Sequence, residues 1–340
     1  MLGRKRKIMN NSQRPRTRAR KNPANVLESP PDINSLIDLI NLGKNMKFYK
    51  NVDTVMLWRI IPLLEELNNM IGMESLKETV FYQVIYYLQG MHTKSGNEEY
   101  LHTVIYGSPG TGKTTVAKIV GKIYQAMGIL SPDGPFRVAY RDDFVAGYLG
   151  QTAIKTKKLL NSCIGGVLFI DEVYSMAPRD NDRDSFSKEA IDTITGFLSE
   201  HKNDFCCIIA GYEDEVKKCF FGMNKGTERR FPWSHSIPDY SSKELSQIFM
   251  KMIKDINWDV AFDTEFLEQH LEKNKKYFKN AGGDIETFIT KCKIYHSKRV
   301  FTLEKEHKFI LTKKDFTDAM SYIIKHRQVK EDAPPPGMYT

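Results

Sequence analysis

Four residues form a set able to do chemistry: Lys113, Thr114, Asp171 and Glu172. Lys113 and Thr114 close a glycine-rich run, Gly107-Ser108-Pro109-Gly110-Thr111-Gly112-Lys113-Thr114-Thr115, that fits the pattern G-x-x-x-x-G-K-[ST] in full. A triphosphate needs many hydrogen-bond donors close together, and backbone N–H groups supply them where no side chains intervene. Gly107, Gly110 and Gly112 let the chain curl with backbone angles that other residues avoid. Lys113 then reaches the outer phosphates, and the Thr114 hydroxyl is placed to bind Mg²⁺. Asp171 and Glu172 follow the apolar run Val167-Leu168-Phe169-Ile170. At the carboxyl end of a strand, Asp171 would hold Mg²⁺ through its water shell, since hard cations prefer oxygen ligands. Glu172 would orient an attacking water or accept its proton. Alone, such an acidic pair reads equally as an exposed turn. Behind a complete phosphate loop it reads as the second half of a nucleotide site.

A loop of this kind works only at a strand-to-helix turn, and the flanking sequence provides one. Thr103-Val104-Ile105-Tyr106 is β-branched and aromatic, whereas Val116, Ile119, Val120 and Ile123 recur at helical spacing. The helix then aims its positive dipole end at the phosphates. The same alternation continues, with strands expected at 103–106, 136–140, 166–170, 205–210 and 235–238. Helices are expected between them, at about 113–127, 152–163, 186–200 and 213–221. That order builds a parallel sheet covered on both faces. After Pro238 only helical patterns remain, at about 242–254, 263–273, 283–298 and 312–326.

The division expected is a disordered basic tail over 1–31, a helical lead-in over 32–100, an α/β unit over 101–240, a helical unit over 241–327 and a disordered end over 328–340. The tail dominates the charge. Of 50 Lys and Arg residues nine lie before residue 28, where no Asp or Glu occurs, leaving 41 against 42 acidic residues in a nearly neutral body. Such a tail reads as a solubilising segment, a nuclear address or an arm for polyanions such as nucleic acid. No apolar run approaches the ~18 residues a membrane span requires; Val55-Met56-Leu57-Trp58 soon meets Arg59. The five cysteines make no C-x-x-C pair, and their odd number suggests a reducing, intracellular setting, cytoplasm or nucleus.

Together with Glu228-Arg229-Arg230-Phe231, these motifs resemble the AAA+ ATPases, and in particular the CbbX/CfxQ subfamily that includes red-type rubisco activases and the sporulation protein SpoVK. The matching stretches are Tyr106 to Ala117, Ala146 to Thr152, Gly165 to Tyr174, Ile208 to Tyr212 and Asn224 to Tyr240, with the lead-in Leu67 to Gly72. The resemblance implies an α/β P-loop NTPase of AAA+ fold: a parallel five-stranded sheet sandwiched by helices, then a small all-α lid. It implies ATP and Mg²⁺ as ligands, bound by Gly107 to Thr115, with Ile71 and Gly72 against adenine and Tyr212 at the γ-phosphate sensing position. Tyr148, between Gly147 and Gly150, falls where the family places its pore loop. Arg230 matches the arginine finger that reaches a neighbouring subunit's nucleotide, which implies a homo-oligomer, a hexameric ring. Family members often carry Asn-Ala-Arg at the start of a lid helix. Here it is Asn280-Ala281-Gly282, so either Lys291, Lys293 or Arg299 substitutes, or the lid responds less to the γ-phosphate.

The function expected is an ATP-hydrolysing remodelling motor acting on a protein client through the pore. Two alternatives stay open: a nucleic-acid ATPase that uses the basic tail, and a nucleotide-regulated scaffold with little turnover.

Overall fold

The computed structural model describes residues 28–93, 99–148, 150–177, 185–302 and 308–331. Three helices lead in: α1 (Leu36–Lys44), α2 (Thr54–Asn68) and α3 (Glu74–Leu88). Then come β1 (Thr103–Gly107), α4 (Lys113–Ala126), β2 (Phe136–Ala139), α5 (Arg141–Phe144), α6 (Thr152–Asn161), β3 (Val167–Ile170), α7 (Ser185–Glu200) and β4 (Cys206–Gly211). The short helices α8 (Glu213–Glu215) and α9 (Lys225–Glu228) precede β5 (Trp233–Ile237).

All five strands run parallel in the order β2-β3-β4-β1-β5. The loops after β1, β3 and β4 therefore emerge side by side at one edge of the sheet, where open α/β sheets bind their ligands. Successive side chains along a strand point to opposite faces. That alternation splits the strands between two cores. Ile105, Val167, Phe169, Cys206 and Ile208 join α1 to α4 on one face, while Val104, Leu168, Ile170, Cys207 and Ile209 join α6 and α7 on the other. Both cysteines are free, fully buried thiols pushed up in pKa by burial, hence poor nucleophiles.

Beyond β5 lie α10 (Ser242–Asp255), β6 (Asp259–Val260), α11 (Thr264–Lys273), α12 (Ala281–Val300), β7 (Ile310–Leu311) and α13 (Lys313–Glu331). The helical pattern gave no sign of β6 and β7, a two-residue parallel pair too short for any periodicity to show. Phe249, Phe288 and Phe316 meet edge-on or tilted at the centre of this unit. They belong to the same continuous core as the lead-in helices and one sheet face. Burial alone would raise the Asp315 carboxyl. The Arg299 guanidinium, the Thr312 N–H and His296 more than offset this and hold it down at about 2.

Two of the expected boundaries differ. Within the expected tail, Glu28 forms a bridge to Tyr49, and its N–H donates to Phe48 O at 3.1 Å, so the chain is tied to the body by residue 28. Residues 1–27 lie outside the described residues. At the other end α13 continues to Glu331, past residue 327, because no Gly or Pro interrupts the helical sequence before Pro334; residues 332–340 lie outside the described residues. Among the described residues no helix is long and apolar enough to cross a membrane.

Candidate nucleotide site

The loop between β1 and α4 holds Gly110 at φ 73° and Gly112 at φ 91°, left-handed angles that cost an L-residue about 1–2 kcal/mol. Gly110 has a second reason to be glycine: a Cβ there would collide with Asn280 O at the start of α12. Thr111 braces the turn, its hydroxyl donating to Ser108 O at 2.7 Å. Lys113 opens α4, and its Nζ donates to Gly107 O and Ser108 O, both at 2.9 Å. The ammonium thus lies curled over the loop, close to where an anion would be cradled. Burial lowers its pKa, while Asp171 and Glu172 pull the other way.

Across the loop, the Thr114 hydroxyl donates to Asp171 Oδ2 at 3.3 Å. Asp171 follows β3 directly, and its Oδ1 accepts from the Glu172 N–H at 3.0 Å. Glu172 itself sits at φ 48°, ψ 45°, a left-handed conformation that a non-glycine residue adopts at a cost. The strained turn leaves the Glu172 side chain exposed at the wall of a cavity of about 400 Å³. That cavity is also lined by Lys113, Thr114, Asp171, Tyr174, Tyr212 and, from the lid side, Gly282, Gly283 and Glu286.

A second, more apolar cavity of about 300 Å³ adjoins it, bounded by Met70, Ile71, Ile119, Tyr240 and Ile248. Gly110, Gly112, Thr115, Met252 and Gly282 border both. The pair has the shape a nucleotide requires, a polar space for phosphates joined to an apolar slot for a base. Thr114 and Asp171 fit a hard divalent cation, since they bring a hydroxyl and a carboxylate oxygen together at the phosphate-sized space. Among the described residues no cluster of three or more His, Cys, Asp or Glu is arranged to hold a metal.

The site residues read from the sequence fall into two groups. Gly110, Gly112, Lys113, Thr114, Asp171, Glu172 and Tyr212 line the polar cavity with Pro109 and Thr115, while Ile71 and Thr111 line the apolar one. Gly107 and Ser108 carry the carbonyls that hold Lys113, and the Ser108 hydroxyl donates to Asp239 at 2.7 Å. Gly72, at φ 68°, packs against Glu244 and Tyr240 just outside the cavities. Arg230 and Tyr148 stand apart from both cavities. The Arg230 Nε donates to Ser199 Oγ at 2.6 Å and its Nη1 to Gly226 O, whereas Arg229 is exposed. Tyr148 is 74% exposed on the connection between α5 and α6. Lys291 and Lys293 lie over the Tyr322 and Trp258 rings, and Arg299 binds Asp315, so none of the three borders the polar cavity.

The structure adds residues that the motifs did not name. Tyr174, two residues past Glu172, lines the polar cavity, and its place just after an acidic strand end was the one signal available. Tyr240 donates from its hydroxyl to Thr111 O at 3.0 Å, and the Gly282 N–H donates to Gly110 O at 3.1 Å. Both are contacts over long sequence separations that no local pattern encodes.

The sequence profile described as "ATPase family associated with various cellular activities (AAA)" matches residues 103–219, which include both motifs. A putative cfxQ-like protein of Acanthamoeba polyphaga mimivirus is 39% identical over 272 residues, spanning 78% of this chain and 66% of the viral protein. Stage V sporulation protein K of Bacillus subtilis is 38% identical, over 59% of this chain and 63% of that one. The chain thus spans slightly under two thirds of the length of these two relatives. The chloroplastic ribulose bisphosphate carboxylase/oxygenase activase of Cyanidioschyzon merolae is 36% identical, over 71% of this chain and 80% of the activase. Among solved structures, the FIGL-1 AAA domain in complex with ADP superposes with a TM-score of 0.54, at 16% identity over 77% of this chain and 89% of that one, a likeness of fold alone. With both motifs on one parallel sheet and these relatives sharing most of its length, the chain belongs to the AAA+ ATPases, in the CbbX/CfxQ-like group.

Proposed function

We propose that the chain binds ATP across the two adjoining cavities, hydrolyses it, and uses the cycle to remodel a protein client as part of a ring of identical subunits. The observation that carries this reading is the convergence of Lys113, Thr114, Asp171 and Glu172 on one cavity that opens into an apolar slot at Ile71.

The division of labour follows from the chemistry of each group. Loop N–H groups and the α4 N-terminus bind the phosphates. The Lys113 ammonium exchanges its two carbonyl partners for phosphate oxygens. Thr114 and Asp171 would hold Mg²⁺, which supplies neutralisation of the charge that gathers on the phosphates. Glu172 accepts a hydrogen bond from the attacking water and orients it. An arginine of the neighbouring subunit, Arg230 by its place in the motif, offers two parallel hydrogen bonds to the departing charge. To do so it would release Ser199 and Gly226. Tyr148, exposed on its own loop, would grip the client in the centre of the ring. The subfamily match does not name the client, and the rubisco activase relative is evidence about that protein.

The test is Glu172→Gln. Binding of ATP should persist within a few-fold, while turnover falls about 100-fold or more, the size of effect that general-base groups carry. A variant that hydrolyses ATP at the normal rate would remove Glu172 from the reaction.

A further inference from the structure

One wall of the polar cavity is aromatic. Tyr174 and Tyr212 come from different loops, after β3 and after β4, and both line the space that Lys113, Asp171 and Glu172 also line. Their rings lie 5.9 Å apart, tilted by 38°. The contact is built into the backbone: a Cβ on Gly211 would stand 2.9 Å from Tyr174 Cδ1 and 2.8 Å from Val216 Cγ2. Any larger residue at the end of β4 would displace the Tyr174 ring. The Tyr174 side chain is half-buried, while Tyr212 is 38% exposed. Among the described residues neither hydroxyl makes a hydrogen bond.

Among the described residues other tyrosine hydroxyls divide: those of Tyr87 and Tyr124 are buried in the core without a hydrogen-bond partner, while others are paired. Tyr240 bonds Thr111 O and Tyr86 bonds Glu99. What sets Tyr174 apart from the unpaired core tyrosines is its place: it lines the cavity with Lys113, Asp171 and Glu172, so its donor is open to a ligand there. The phenol suits an oxyanion. Burial, with Glu172 and Glu215 nearby, pushes the Tyr174 hydroxyl up to about 12, and burial raises Tyr212 as well. Both therefore stay protonated, as neutral donors, across the working pH range. A neutral donor can contact phosphate oxygens next to Glu172 without forming the ion pair that a lysine there would make with that carboxylate.

We propose that Tyr174 is a further catalytic residue, its hydroxyl donating to the terminal phosphate of ATP alongside Tyr212, the residue already placed by resemblance at the γ-phosphate sensing position. The packing against Gly211 and the position beside Glu172 assign it to the terminal phosphate rather than the base. This rests on the reading of the cavity as an ATP site. It further implies that Tyr174 couples the phosphate to β4, because the ring cannot shift toward Gly211 without moving that strand end.

The experiment uses the full chain and Tyr174→Phe, which keeps the ring against Gly211 and deletes the hydroxyl alone. Turnover of ATP and affinity for ADP are measured for the wild type, Glu172→Gln, Tyr174→Phe and Tyr212→Phe. Loss of one hydrogen bond to a charged group should lower kcat about tenfold in Tyr174→Phe. Affinity for ADP, which lacks the terminal phosphate, should stay within twofold. Tyr212→Phe should move kcat the same way by less, and it serves as the reporting variant if Tyr174→Phe proves poorly folded by thermal melting. Wild-type kcat in both variants, or an equal loss of ADP affinity and kcat in Tyr174→Phe, overturns the proposal. If Glu172→Gln abolishes turnover while both phenylalanine variants remain normal, the tyrosine proposal alone fails. If the wild type binds no ADP, the reading of the cavity fails with it.

Discussion

Two helices begin at the wall of the same cavity, and their first turns carry opposite charge. The first turn of α4 is Lys113-Thr114-Thr115, and that of α12 is Ala281-Gly282-Gly283-Asp284 with Glu286 following. A helix N-terminus favours acidic residues and disfavours basic ones. By that rule α12 is built for its own stability. Asp284 accepts from the Asn280 N–H at 2.7 Å and pairs with Arg327 Nη2 at 2.6 Å. By the same rule α4 is built against itself, since a largely buried ammonium at its first residue opposes the dipole and carries a desolvation cost. The contrast identifies a ligand-binding helix without reference to any motif: charge that harms the isolated helix is kept where an anion will neutralise it. It also locates the chemistry on the sheet side. Among the described residues the lid side brings Gly282 against Gly110 and no cation to the polar cavity, while its Lys251 borders the apolar one.

Substitution at the start of α4 should break binding and spare the fold. Lys113→Met removes the charge and retains the aliphatic stem. Affinity for ATP should fall about 100-fold, the loss of one or two charge-assisted hydrogen bonds. Thermal stability without nucleotide should hold or rise, because a buried ammonium no longer has to be accommodated. Calorimetry and a melting curve on the same sample check both halves. A marked loss of stability with affinity unchanged would show that Lys113 serves the loop and not a ligand.

The same contrast explains how much was readable in advance. The phosphate loop, the Asp171-Glu172 pair and the strands beneath them were legible because each is a contiguous run whose local geometry and chemistry coincide. Val167 to Ile170 had to be a buried strand, and the carboxylates had to emerge at its end. The long helices α4, α7 and α12 were legible from period, and in α4 the spaced residues Val116, Ile119, Val120 and Ile123 are among those it buries. What escaped was non-local. The bond from Gly282 to Gly110 and that from Tyr240 to Thr111 join segments far apart in the chain. The glycines at 282 and 283 registered as a missing arginine. Their use became visible only with Gly110 packed against them. The short helices α5 and α9, of four residues each, hold too little sequence for any period to show.

At the start of α12 the expected order of effects reverses. Asp284→Asn weakens a nearly buried cap and leaves Arg327 without its carboxylate. Arg327 is one third exposed, so water screens part of the loss. A decrease of about 1–2 kcal/mol in unfolding free energy is expected. Urea denaturation should show a lower midpoint at constant slope, since the surface exposed on unfolding is unchanged. Affinity for ATP, measured well below the midpoint, should change less than threefold. A large loss of affinity with stability unchanged would make Asp284 a ligand-site residue and dissolve the distinction between the two helix ends.

The smallest effect should come from Glu286, one turn into α12 and exposed at the cavity wall. Its carboxylate faces the space that the phosphates would enter, so its charge opposes a polyanion instead of holding it. Glu286→Gln keeps the shape and deletes the charge. Affinity for ATP should rise roughly two- to threefold at low salt, the size of a screened interaction through solvent, and the gain should shrink as ionic strength increases. ADP, with one phosphate fewer, should gain less than ATP. The sign is what matters for the comparison. The first turns of α12 carry a carboxylate where α4 carries an ammonium, so the contact seen between α12 and the phosphate loop is the backbone bond from Gly282 to Gly110 and not an ion pair. A fall in affinity on Glu286→Gln would instead place that carboxylate among the groups that hold the nucleotide, through water or Mg²⁺, and the lid would then share in the chemistry.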